Sequence, residues 1–234
     1  MDRIVSKAAL LNSRNTQILI QISFTTILLS YFLVWLPQPV AGLSFIGLEL
    51  GEWAKFIPQV RQGDITPSRS FFYLPPAVLG AMLALWTAGW SNRRWQTWLV
   101  RGTALLISLL AFPAIESFQE EPAKQWIFRL LYIAFVGMAI LLAAYYSSKA
   151  RVPNTVPWAY FVGLGLIGAV LPLWTYLAVR PVVEEIFGSD VGFGVGIILN
   201  TIGHGIAVAV GLVYLCQIQS FSSNKLVEES KNPN

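Results

Sequence analysis

Apolar residues run through this chain in long blocks, separated by short polar or proline-bearing interruptions. A helix crossing the roughly 30 Å hydrocarbon core of a bilayer needs about 20 such residues, at about 1.5 Å each. Six blocks reach that length. The first covers about 16–36 and stops at Pro37 and Pro39. The second covers about 72–90, with Pro75 and Pro76 in its first turn, where proline is tolerated. The third covers about 98–118 and the fourth about 126–146. The fifth, about 157–179, lies between Pro157 and Pro181, and the sixth, about 191–216, follows Ser189 and Asp190 as cap candidates. None alternates with the two-residue period of a lipid-facing barrel strand. The pattern predicts an all-α fold, a polytopic transmembrane helix bundle of six spans.

Residues 41–70 form the one long connection. Within them Leu43, Ile46, Leu50, Trp53, Ile57 and Val60 recur at spacings of three and four, one face of a helix. Ser44, Glu49, Glu52 and Lys55 fall largely on the other side. Pro58 limits a clean helix to about 43–57, too short to span. The expectation is an amphipathic helix on the outer side, either lying in the interface or packed on the spans as a cap. Its three charges read as one surface ion-pair cluster. Ahead of the first span, Arg3, Lys7 and Arg14 imitate the basic start of a signal peptide. The following run is long for that role, and prolines stand where a cleavage site needs small residues, so an uncleaved span is expected. The layout is then an N-terminal segment 1–15, a membrane domain 16–219 and a mobile tail 220–234.

Composition narrows the class. Charged residues are 12% of 234, against about 25% in soluble domains, which excludes an ordinary soluble globule. Aromatic residues at 13% exclude disorder. The single cysteine, Cys216, excludes an intramolecular disulfide and a CxxC metal or redox motif. With the N-terminus inside, ten of the sixteen Lys and Arg fall in inner segments and nine of the twelve Asp and Glu in outer ones. This is the positive-inside pattern. It places both termini in the cytoplasm and the protein in the plasma (inner) membrane. The basic residues are spread over several loops, so they indicate lipid and not nucleic acid.

Candidate chemistry concentrates in the sixth span. Gly188, Gly192, Gly196, Asn200 and His204 are each four apart, and Gly203 returns to the line of Gly196. Small residues at this spacing admit a neighbouring helix closely. His204, the only histidine, falls near mid-depth, where an ionisable group is a site hypothesis by default. Three roles are open: an interhelical hydrogen bond, a proton or substrate path, or axial ligation of a haem or chlorin. Gln17, Gln21, Ser23, Thr25, Thr26 and Ser30 on the first span are candidate partners. Glu116 and Arg129, at the outer ends of the third and fourth spans, read as an ion pair or a substrate contact. Arg101 reads as a snorkelling residue. Arg180, Glu184 and Glu185 read as solvated loop charges. Gly163, Gly165 and Gly168 spell GxGxxG inside the fifth span, without the preceding strand a nucleotide site requires, so they indicate helix packing.

No nucleophile–base arrangement or metal-ligand spacing appears, so neither enzyme, metal nor cofactor is expected, with haem or chlorin at His204 the lesser alternative. The leading expectation is a non-catalytic accessory or scaffold subunit that packs other membrane subunits, or a second copy, through spans five and six. The alternative is a small permease or ion or proton path around Asn200 and His204, with Gln17, Gln21, Glu116 and Arg129 along it.

Overall fold

The structure, a computed structural model, describes residues 14–38, 43–115, 117–148 and 155–231. It is mostly helical, in line with an all-α class. In chain order the elements are α1 (Arg14–Tyr31), β1 (Val34–Gln38), β2 (Leu43–Ile46), α2 (Gly47–Trp53), α3 (Pro58–Gln62), α4 (Leu74–Trp86), α5 (Trp95–Ser108), α6 (Ser117–Glu120), α7 (Ala123–Ser148), α8 (Thr155–Phe187) and α9 (Val195–Lys231). Short 3-10 turns precede and follow α4, at Arg69–Tyr73 and Thr87–Gly89, and another extends α5 over Leu109–Ala111.

Four helical stretches are long and apolar enough to cross a membrane: Arg69–Gly89, Trp126–Ser148, Thr155–Phe187 and Val195–Cys216. These make the chain a membrane-embedded protein. The first and third expected spans fall short of that measure among the described residues. The helix α1 ends at Tyr31, and Arg14, Asn15, Gln17 and Gln21 dilute its apolar run. Helix α5 has 14 residues, and its 3-10 extension ends before Phe112 and Pro113.

The expected helix over 43–57 is corrected in its first turn. Residues 34–38 and 43–46 pair as an antiparallel hairpin, with Val34 opposite Ile46 and Pro37 opposite Ser44. The three-residue interval between Leu43 and Ile46 suits a helix, but a strand partner satisfies the same backbone groups through a ladder. The hairpin is also tied to the far end of the chain, since Gly194 N–H donates to the Trp35 carbonyl at 3.0 Å. What remains helical is α2, a 3-10 turn at Ala54–Phe56, and α3, which starts at Pro58 and ends at Gly63 with φ +84°. Leu50, Ala54 and Ile57 are buried, so this segment packs on the bundle as a cap.

Nearly all of α4 is buried, at the centre of the molecule, while α7 exposes Leu131, Phe135, Met138 and Leu141 on one side. One core cluster joins Phe24, Val78, Met82, Val136, Phe161 and Val210. A second lies under the cap and joins Trp35, Leu50, Phe72, Tyr176, Val183 and Ile197. Trp35 is wholly buried and donates from Nε1 to the Ser30 carbonyl at 2.8 Å. Its ring lies against Gly196, where a Cβ would meet Trp35 Cδ1 at 2.2 Å.

Candidate functional site

Helix periodicity sets Asn200 and His204 one turn apart on α9, and packing against α1 and α8 buries both completely. The His204 Nδ1–H donates to the Asn200 carbonyl at 2.9 Å. Nε2 is then a bare acceptor and has no partner. The Asn200 amide donates from Nδ2 to the Gly168 carbonyl of α8 at 3.1 Å, while its Oδ1 has no partner. On the opposite side, Ser23 of α1 donates to the Gly203 carbonyl at 2.8 Å. Three helices therefore meet through polar side chains aimed at backbone carbonyls.

Glycines make this approach close. A Cβ on Gly168 would stand 2.2 Å from His204 Nε2, and one on Gly165 would stand 2.7 Å from Val208. A Cβ on Gly203 would stand 2.8 Å from Ile27. Gly163, Gly188 and Gly192 face open space, and Gly188 has the left-handed φ of +63° that a glycine tolerates. On α1 the inward positions are Ile20, Ser23, Phe24 and Ile27, whereas Gln17 and Gln21 are exposed and do not join Asn200 and His204.

A second polar cluster lies at the other end of the bundle. Arg129 of α7 is 4% exposed and forms an ion pair with Glu52 of α2. It also donates to the carbonyls of Ala111 at 2.9 Å and Phe112 at 2.6 Å, and lies 3.9 Å over the Tyr73 ring. Lys55 bridges Glu52 at 3.5 Å and Glu121 at 3.2 Å. Arg69 closes the chain of charges on Glu121 at 2.6 Å and on the Gly51 carbonyl at 2.8 Å. Burial pushes the Glu52 carboxyl up, but the charge and hydrogen bond of Arg129, with Lys55, hold it below its ordinary value. A pocket of about 260 Å³ opens beside this cluster, lined among others by Val60, Ile65, Ser68, Arg69, Ser70 and Tyr73. Glu116, the expected partner of Arg129, lies outside the described residues. The expected pairing of Glu52 with Lys55 forms, but the sequence left Arg69, Glu121 and Arg129 unconnected to it, because those pairs span 52 to 77 residues and no local spacing marks them.

Two further expectations meet their geometry. Arg101 does not snorkel: it is 1% exposed and donates to Thr87 Oγ1, Asn92 Oδ1 and Ser147 Oγ at 2.8–2.9 Å. Arg180 pairs with Glu184 at 2.9 Å, and Glu184 accepts the Val191 N–H at 3.0 Å, fastening the end of α8 to the approach to α9. Among the described residues no group of three His, Cys, Asp or Glu is placed to hold a metal ion. No known family model matches the chain, and no curated protein or solved structure matches it.

Proposed function

We propose that the protein is a six-span integral membrane subunit of accessory or scaffold type, with both termini cytoplasmic and the hairpin–α2–α3 cap on the outer side. In this reading α1 and α5 are the first and third spans. Support comes from their packing: α1 lies along α9, and α5 lies along the central α4. The distribution of Lys and Arg supports the orientation.

The carrying observation is the use made of the mid-depth polar groups. Ser23 and Asn200 bond carbonyls of neighbouring helices, and Gly168 backs directly onto the His204 imidazole. Groups committed to joining helices leave little freedom for a moving solute, and α8 fills the space in front of Nε2 that a haem or chlorin would need. Since Gly165, Gly168, Gly196 and Gly203 are packed within the chain, a partner would meet the sides of Gly163 and Gly192 and the apolar face of α7.

One observation favours a proton or solute path instead. Asn200 Oδ1 and His204 Nε2 are two buried acceptors without donors, the condition a water or a transiting proton would relieve. Reconstitution into vesicles containing a pH-sensitive dye separates the readings. The scaffold reading expects no proton flux, and a His204→Gln variant that still assembles with its partners or its second copy in gently solubilised membranes. Flux that disappears in folded His204→Gln, or migration of the wild type as a lone monomer, overturns it.

A further inference from the structure

The corner between α4 and α5 buries a cation without an anion. All the acceptors around Arg101 among the described residues are neutral: the Thr87 hydroxyl and carbonyl, the Asn92 amide oxygen and the Ser147 hydroxyl. A buried charge lacking an opposite charge is costly, and its field remains available to a counter-ion outside. Among the described residues no Asp or Glu pairs with Arg101, and residues 65–115 and 143–156 contain none. The same corner adds Arg93 and Arg94, both exposed and without an ion pair among the described residues.

Aromatic side chains complete the surface. Trp95 and Trp98 are 68% and 51% exposed. Trp98 donates from Nε1 to the Asn92 carbonyl at 2.9 Å and lies 5.0 Å from the Arg101 guanidinium. Asn92 also donates to the Ala144 carbonyl of α7 at 2.8 Å, so the turn is held in one shape from both sides. Exposed indoles belong at the level of lipid headgroups, with the ring on the acyl chains and the N–H towards water.

We propose that the 91–94 turn and the first turn of α5, with Arg101, form a binding site for the phosphate of an anionic phospholipid. Arg93 and Arg94 contact the phosphate, Trp95 and Trp98 lie against the glycerol and upper acyl chains, and Arg101 fixes the turn and adds its charge from behind. Free phosphate has the charge but nothing for the indoles to cover, so the lipid is the occupant. The site rests on the membrane-embedded reading and is independent of the scaffold role.

The full-length chain is assembled into nanodiscs of equal phosphatidylcholine and phosphatidylglycerol, and the lipids retained after detergent exchange are counted by native mass spectrometry. The wild type should retain phosphatidylglycerol preferentially. The exposed double variant Arg93→Gln/Arg94→Gln, with its melting temperature checked, should lose that preference by roughly ten-fold. Millimolar inorganic phosphate should leave it unchanged. Equal retention of the two lipids by the wild type, unchanged preference in the double variant, or displacement by free phosphate overturns the proposal. A chain that does not enter nanodiscs sinks the membrane reading itself, a separate outcome.

Discussion

Arg129 and Glu52 form an ion pair across 77 residues of sequence, and it clamps the cap formed by α2 and α3 onto α7. Removing one partner of such a pair leaves the other buried and uncompensated. The guanidinium keeps its bonds to the Ala111 and Phe112 carbonyls, and Glu52 is 30% exposed, so the loss falls below that of a fully buried pair. Glu52→Gln should destabilise the protein by about 1–3 kcal/mol. Thermal melting in detergent measures this, and a double-mutant cycle with Arg129→Met should show clear coupling.

The same carboxyl predicts an acid limit for the cap. Its folded value lies below the 4.5 of an ordinary glutamate. The unfolded state therefore takes up a proton first as the pH falls. The stabilisation from Glu52 is complete above about pH 4.5 and fades as the pH drops through the lower folded value. Melting temperatures of the wild type and Glu52→Gln should differ at pH 7 and draw together as the pH falls below 4.5 and through the lower folded value. A constant difference over that range would rule the mechanism out.

Gly168 and His204 predict a steric conflict and its relief. Gly168→Ala places a methyl 2.2 Å from Nε2, so α8 or the imidazole must move. The expected cost is about 1–3 kcal/mol. Adding His204→Ala should recover part of it, because the obstructing ring is gone. Additive losses in the double variant would mean that α8 meets α9 some other way.

Arg101 predicts that keeping the positive charge is not enough at its position. Its planar fork reaches Thr87, Asn92 and Ser147 together, which the single ammonium of lysine does not reproduce. Arg101→Lys should be destabilised nearly as much as Arg101→Met, by about 1–3 kcal/mol, the cost of buried acceptors left without donors. Recovery of wild-type melting by lysine would show that charge alone matters there.

The six-span arrangement predicts opposite labelling of two loops. With Cys216 replaced by serine, Asp64→Cys and Arg93→Cys should react with an impermeant maleimide from opposite sides of a sealed vesicle. Labelling from one side only would require a different path for the helices between them.

How much of this is legible in the sequence depends on the range of the interaction. Blocks such as 126–146 stand out because a long apolar run admits few other readings, and the four-residue ladder that sets Asn200 beside His204 is a property of one helix. The hairpin was hidden because Val34, Trp35 and Leu36 continue an apolar run, and only pairing with Leu43–Ile46 makes them a strand. The burial of Arg101 was hidden because its acceptors come from the 87–92 corner and from α7, which only the fold brings together. The ionic cluster was hidden for the same reason, since nothing near Glu52 in sequence points to Arg129.

The contact of Ser23 with the Gly203 carbonyl joins residues 180 positions apart. At roughly 5–20 residues per second, a ribosome needs on the order of 10–40 seconds to add that stretch. During that interval α1 has been made but its partner has not, and Ser23 and Ile27 stand without the Gly203 surface they pack on. The bundle therefore closes only when its last helix arrives. A message truncated before α9 yields a protein whose first helix advertises that it is unfinished.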